Sequence, residues 1–159
     1  MDAQLKVKPD SPLIVGVGSA LVDILTHENE AFLEQTGAVK GGMTLVEKDF
    51  IEAALAGSSG ERKIVPGGSA CNTAVGVGRL GGRARFVGKC GNGEWGRFFR
   101  EDLLRQNVEP ALFGSDSPTG RVLSIITPDA QRSMFTYLGA SSETQPAELT
   151  NGCFENAAV

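Results

Sequence analysis

An α/β fold, with helices packed on a partly parallel sheet, is what the order of patterns in this sequence predicts, and three observations carry that prediction. Leu13-Ile14-Val15-Gly16-Val17-Gly18 is a short, continuously apolar run of the kind found in strands buried on both faces. Lys63–Val65, Ser69–Leu80 and Ala84–Gly88 then read as strand, helix and strand, the alternation typical of this class. A chain of 159 residues, 41% hydrophobic, is also long and apolar enough for one domain with a substantial core.

The elements follow in order. Residues 29–36 read as a short helix closed by Gly37, and residues 47–56 as a second, with Phe50, Ile51, Ala54 and Leu55 on one face and Gly57 beyond its end. Thr44 and Glu47 have capping-box spacing. In the helix from Ser69 to Leu80, Ala70, Ala74 and Gly78 recur every fourth residue and make a smooth stripe for close packing on a sheet. Gly76 and Gly78 each cost about 1 kcal/mol relative to alanine, so that packing must compensate. Trp95, Phe98, Phe99, Leu103 and Gln106 have helical spacing, and Asn107 suits a left-handed stop. Beyond Pro110 the alternation breaks. Arg121–Thr127 and Ser133–Leu138 read as two strands joined at Pro128-Asp129-Ala130-Gln131, a hairpin expected to form a separate small sheet beside the main layer. The final residues, 154–159, run into small apolar side chains and look like the start of another buried strand, so the chain is expected to be the N-terminal half of a larger enzyme.

Composition narrows the function. A net charge of −4 gives no electrostatic reason to bind nucleic acid or an anionic membrane. Cys71, Cys90 and Cys153 are odd in number and widely spaced, which argues against a disulfide framework or a zinc site and suits a reducing cytoplasm. The first twelve residues are polar and contain no apolar signal core, and no later run reaches membrane-spanning length.

Pro66-Gly67-Gly68-Ser69-Ala70-Cys71-Asn72 is the strongest candidate binding segment. Its glycines permit close backbone approach to a polar ligand, Ser69 is a good helix N-cap, and Asn72 lies a turn inside the helix. Cys71 near that helix start is read as a small packed residue rather than a reactive thiol. Gly91-Asn92-Gly93-Glu94-Trp95-Gly96 matches GxGxxG, with Asp116 about twenty residues on, and competes as a dinucleotide fingerprint. Against it, Lys89 and Cys90 stand between the expected strand and the glycines, and Trp95 belongs to the apolar face of the next helix. Gly82–Cys90 fails as a Walker loop, with the wrong gap and cysteine in place of the hydroxyl. Gly16-Val17-Gly18 lacks the third glycine of a Rossmann turn.

Gly16-Val17-Gly18 leading to Asp23, Gly67–Ala74, Gly81-Gly82, Phe86–Lys89 with Gly91 and Gly96, and the stretches Pro118–Arg121, Thr127–Arg132 and Leu138–Ser141 together resemble the PfkB/ribokinase family of carbohydrate kinases. Ser69, where ribokinase proper has lysine, resembles the adenosine-kinase-like branch. The resemblance implies a Rossmann-like (ribokinase-like) α/β fold with a small β-sheet lid, whose strands would come from about residues 20–46 and 111–138. It implies transfer of a phosphoryl group from ATP, with Mg, to a hydroxymethyl oxygen of a sugar or nucleoside. Asp23, Gly67, Gly68, Ser69, Asn72 and Arg132 would form the acceptor site. An ionised carboxylate accepts from two vicinal hydroxyls, and an amide both donates and accepts. The family's aspartate base and anion hole sit in a GxGD-type segment that this sequence does not contain, so the chain alone is expected to be inactive. A homodimer through the lid is implied too. The competing readings are a dinucleotide-dependent oxidoreductase module using Gly91–Gly96 and a non-catalytic sugar-binding or assembly module. His27, the only histidine, has no second histidine or nearby cysteine and is not read as a ligand or base. Phe135 and Tyr137 are expected to divide on the hairpin, one packing and the other reaching a ligand or partner.

Overall fold

The computed structural model describes residues 10–158, so residues 1–9 of the polar N-terminal segment and Val159 lie outside the described residues. Eight strands form two sheets. The first sheet is all parallel, in the order β1 (Leu13–Val17), β5 (Arg83–Gly91), β6 (Val108–Ser115). The second is mixed and runs β3 (Met43–Leu45), β8 (Arg132–Gly139), β7 (Thr119–Ile126), β2 (Leu21–His27), β4 (Arg62–Gly67). Within it β2 is parallel to β7 and antiparallel to β4, while the β7–β8 hairpin is antiparallel.

Each sheet has its own core. Helices α3 (Ser69–Arg79) and α4 (Glu94–Arg105) cover one face of the first sheet through Ala74, Phe86, Phe99, Leu103 and Val108. Helices α1 (Glu30–Gln35) and α2 (Lys48–Gly57) cover one face of the second through Ile24, Leu33, Ile51, Leu123 and Phe135. The other face of the first sheet lies under a segment of two 3-10 turns, Ala140–Glu143 and Pro146–Glu148, and a short helix, α5 (Asn151–Phe154). There Lys89 pairs with Glu148 at 2.7 Å and donates to the Glu143 carbonyl at 3.1 Å.

The local expectations with the clearest chemistry are observed. The helix expected over 29–36 forms and Gly37 turns the chain out at φ 69°; Asn29, expected inside the helix, caps it by accepting from the Phe32 N–H at 2.8 Å. Asn107 ends α4 at φ 60°. The hairpin turn closes with Ala130 donating to the Thr127 carbonyl at 2.8 Å.

Other expectations are corrected. Strand β1 is not the doubly buried one: it is an edge strand among the described residues, with Val17 exposed and Leu13 in an isolated parallel bridge to Ala157. The middle strand, β5, is the buried one, running on through Lys89, Cys90 and Gly91. Residues 62–67 do not extend the parallel sheet; they form the antiparallel edge of the second, where Arg62, Lys63 and the non-donating Pro66 suit an edge. Residues 108–115 form a parallel strand of the first sheet, although the resemblance drew lid strands from about residue 111 onwards, and Pro110 is tolerated because β6 is also an edge. Thr44 caps nothing, because it lies in β3, and Glu47 precedes α2 without a side-chain cap bond. Phe135 and Tyr137, two residues apart, share a face and both pack in the second core.

The two helical glycines of α3 differ. A Cβ at Gly78 would strike the backbone that ends α4, with the Asn107 carbonyl at 3.1 Å, whereas at Gly76 it would meet nothing within 4 Å. Only Gly78 is repaid by packing.

Glu28, 8% exposed, fastens the loop after α2 to the end of β2. Its carboxylate accepts from Ser58 Oγ at 2.6 Å, Gly60 N–H at 2.9 Å and Thr26 Oγ1 at 3.1 Å. Burial alone pushes its carboxyl up, but these hydrogen bonds outweigh burial and hold it below its ordinary value of 4.5. Its contribution is present above that value and is lost as pH falls through the lowered one. Glu28→Gln is expected to destabilise the protein by about 1.5–3 kcal/mol at neutral pH and to flatten the acid limb of its unfolding curve below about pH 4.5, measured by urea titration across pH.

Candidate functional site

The two segments singled out by the sequence meet where the sheets adjoin. Asp23 lies on β2, in register with Val65 of β4 and Val122 of β7. Gly67 ends β4, and its missing side chain is the reason Asp23 fits: a Cβ there would overlap the Asp23 carboxylate. Gly68 follows at φ 95°, with the Ser19 carbonyl 2.5 Å from where a Cβ would stand. That approach to Ser19, at the β1–β2 junction, was not marked in the sequence; a glycine pair before a helix is its only signal.

Gly68, not Ser69, is the N-cap of α3. Ser69 is the first helical residue, its side chain is exposed and makes no cap bond, and its carbonyl accepts from Thr73 Oγ1 at 3.0 Å. The positive φ explains the displacement: only the glycine can take it, so the non-helical half-turn falls there. Asn72, on the first turn, is exposed, and its side chain makes no hydrogen bond among the described residues.

Asp23 is electrostatically unusual. Its side chain is 14% exposed and accepts no hydrogen bond among the described residues; the nearest cation is Arg132 Nη2 at 3.7 Å. Burial pushes its carboxyl above the usual range, and the Arg132 guanidinium only partly pulls it back. Arg132 comes from the start of β8, and its Nε lies 3.3 Å from Ser124 Oγ of β7. The second sheet therefore brings a cation across to the carboxylate. A desolvated carboxylate without hydrogen bonds, an open amide and a fork of guanidinium donors can together bind a polyhydroxylated ligand.

The GxGxxG segment is placed as a dinucleotide reading requires, between β5 and α4 and followed by a parallel β6. Its first two donors, however, are already used. Gly91 N–H donates to Thr119 Oγ1 at 3.0 Å and Asn92 N–H to the Ser115 carbonyl at 3.0 Å. The glycines make room for protein: Gly91 lies against residues 117–119, and Gly96 against the Gly91 carbonyl. Asp116 meets Asn92 Nδ2 at 3.4 Å. Residues 115–119 take the first two N–H groups of the turn for the protein's own structure, which weighs against the dinucleotide reading.

His27 is exposed at the end of β2, and no group of three or more His, Cys, Asp or Glu positioned for a metal occurs among the described residues. No helix among them is long and apolar enough to cross a membrane. Cys71, Cys90 and Cys153 are free and buried. Burial pushes the Cys71 thiol up to about 12, with Asp102 and Asp23 adding to the shift. Native protein is expected to leave Cys71 unlabelled by iodoacetamide at pH 8 while urea exposes it, as peptide mass spectrometry would show.

Comparison with known proteins agrees with this architecture. The family described as pfkB family carbohydrate kinase matches residues 37–159. Probable fructokinase-2 of Arabidopsis thaliana is 34% identical over 151 residues, covering 92% of this chain and 39% of that protein. The crystal structure of adenosine kinase from Sinorhizobium meliloti superposes with a TM-score of 0.80 at 36% identity, covering 89% of this chain and 43% of the other. That of a probable sugar kinase protein from Rhizobium etli gives 0.83 at 33%, covering 92% and 44%. The chain spans about two fifths of the length of these relatives.

Proposed function

Because this chain belongs to the pfkB family of carbohydrate kinases, we propose that it forms the acceptor-binding part of an enzyme that transfers the γ-phosphoryl group of ATP to a hydroxymethyl oxygen of a sugar or nucleoside. One observation carries the reading: the Asp23 carboxylate is largely desolvated, accepts no hydrogen bond among the described residues, and faces the glycine pair ahead of α3. Vicinal hydroxyls supply the donors it lacks. Gly67 and Gly68 let the ligand approach the backbone, Asn72 offers an amide from α3, and Ser69 lies beside it on the first turn. Arg132 closes over the acceptor from the second sheet, which serves as the lid.

ATP and Mg are implied by the family, but the described residues do not fit them. The glycine-rich turn that resembles a phosphate loop commits the N–H groups of Gly91 and Asn92 to Thr119 and Ser115, and packs Gly91 and Gly96 against protein backbone. What these residues do is bind and orient the acceptor, which is the positioning part of phosphoryl transfer. The base and the stabilisation of phosphoryl charge are expected from outside them. A cytoplasmic location and a homodimer through the lid belong to the same proposal; the β3 edge exposes Met43 and Leu45, and sedimentation of the protein tests the dimer.

Calorimetric titration with ribose, fructose and adenosine, beside an assay for transfer of labelled phosphate from ATP, tests the reading. Binding of one acceptor without turnover by this chain, and turnover by a full-length kinase containing it, is expected. Phosphorylation by this chain alone would refute its inactivity. Saturable NADH binding lost in Gly93→Ala would favour the oxidoreductase instead.

A further inference from the structure

The proposed acceptor site spans two sheets: Asp23 and Arg132 belong to the second, whereas Asn72 rides on α3, which packs on the first. Its geometry therefore depends on how the sheets are joined. The chain crosses between them at four places, and these crossings meet in two pairs. In one, Gly68 lies against the Ser19 carbonyl. In the other, the Pro118 carbonyl accepts from Ala140 N–H at 2.9 Å, bringing the entry to β7 against the exit from β8.

A buried hydroxyl ties this second junction to the first sheet. Thr119 is the first residue of β7, is 3% exposed, and accepts from the Gly91 N–H at 3.0 Å. Gly91 is the last residue of β5, and Gly96 packs close to the same hydroxyl. β5 is the middle strand of three and β7 the middle strand of five. One buried hydrogen bond thus links the centres of the two sheets. From Thr119 the register carries the link to the site, since Gly120 pairs with Leu21 and Val122 with Asp23.

We propose that Thr119 is a positioning residue for the acceptor: its hydroxyl sets the middle strand of the lid sheet on the GxGxxG turn and so fixes Asp23 relative to Asn72. The proposal rests on the acceptor-site reading, and it gives the GxGxxG segment a role as the fixed post of the joint.

Thr119→Val keeps the shape and removes the acceptor lone pairs, while Thr119→Ser keeps them. Hydrogen exchange on the ligand-free protein reads the joint, and titration with adenosine and fructose reads the site. In Thr119→Val the amides of Gly91 and of residues 21–24 are expected to exchange at least about tenfold faster while those of α2 and α4 hold. Acceptor affinity is expected to fall by about tenfold to a hundredfold, and Thr119→Ser should restore both. Wild-type exchange in residues 21–24 of Thr119→Val overturns the proposal. So does loss shared by every core amide, or a serine variant no better than valine, because either makes Thr119 a stability residue alone. If the wild-type protein binds neither adenosine nor fructose, the acceptor reading fails, and the exchange comparison still decides the role of Thr119.

Discussion

Asp23→Asn is expected to weaken binding at the proposed acceptor site by at least about a hundredfold and to make the protein more stable. Both effects come from one carboxylate that is mostly buried, accepts no hydrogen bond among the described residues and has a guanidinium at 3.7 Å as its nearest cation. Two charge-assisted hydrogen bonds to vicinal hydroxyls contribute about 1.5–3 kcal/mol each, so the amide variant is expected to bind at least about a hundredfold more weakly. Stability moves the other way. Burial raises the Asp23 carboxyl above its ordinary value of 3.8. A raised acid favours the folded state below the unfolded value and loses that advantage as pH rises through the folded one, so at neutral pH the ionised group is a cost. The asparagine variant should melt higher than wild type at pH 7, with the difference shrinking towards pH 4. Calorimetry gives the binding loss and thermal unfolding across pH gives the rest. Wild-type affinity in a folded Asp23→Asn protein would remove Asp23 from the site.

Gly68→Ala is expected to be among the most damaging small substitutions. Two independent penalties fall on one methyl group. The backbone at Gly68 has φ 95°, which a side chain makes unfavourable by about 1–3 kcal/mol. The new Cβ would also stand 2.5 Å from the Ser19 carbonyl, whose strand connection cannot retreat without moving β2. Together they should lower stability by about 3 kcal/mol or more, a drop of roughly 6–12 °C in melting temperature for a domain of this size. The proposed acceptor site is expected to be lost with it, because Gly68 sets the direction in which α3 leaves. Gly76→Ala is the control. It lies in the same helix with open space around its Cβ and should stabilise the protein by up to about 1 kcal/mol. Equal melting temperatures for the two variants would show that the Gly68 conformation is not needed.

Much of the fold was legible because its cues are local. The close of α1 at Gly37, the left-handed stop at Asn107 and the turn at residues 127–131 depend on a few neighbouring residues, and each is where its chemistry places it. The stripe of Ala70, Ala74 and Gly78 likewise lies towards its partners. Readings failed where a strand needed a partner. Residues 62–67 and 108–115 carry no mark of which sheet they join, since any extended backbone offers the same donors and acceptors; Pro66 and Pro110 say only that each is an edge.

Of the candidate site, the sequence by itself determined the residue types and their order: a carboxylate after the first strand, a glycine pair before a helix, an amide one turn on, and an arginine on a hairpin. These are properties of short segments. Only the tertiary structure decided which of them meet. It places Asp23 against Gly67 and draws Arg132 to it, moves the helix cap from Ser69 to Gly68, and packs residues 115–119 against the start of the GxGxxG turn. The reason is that those outcomes depend on the junction between two sheets, where chain segments far apart in sequence compete for the same space and the same hydrogen bonds. Spacing along the chain carries no information about which competitor wins.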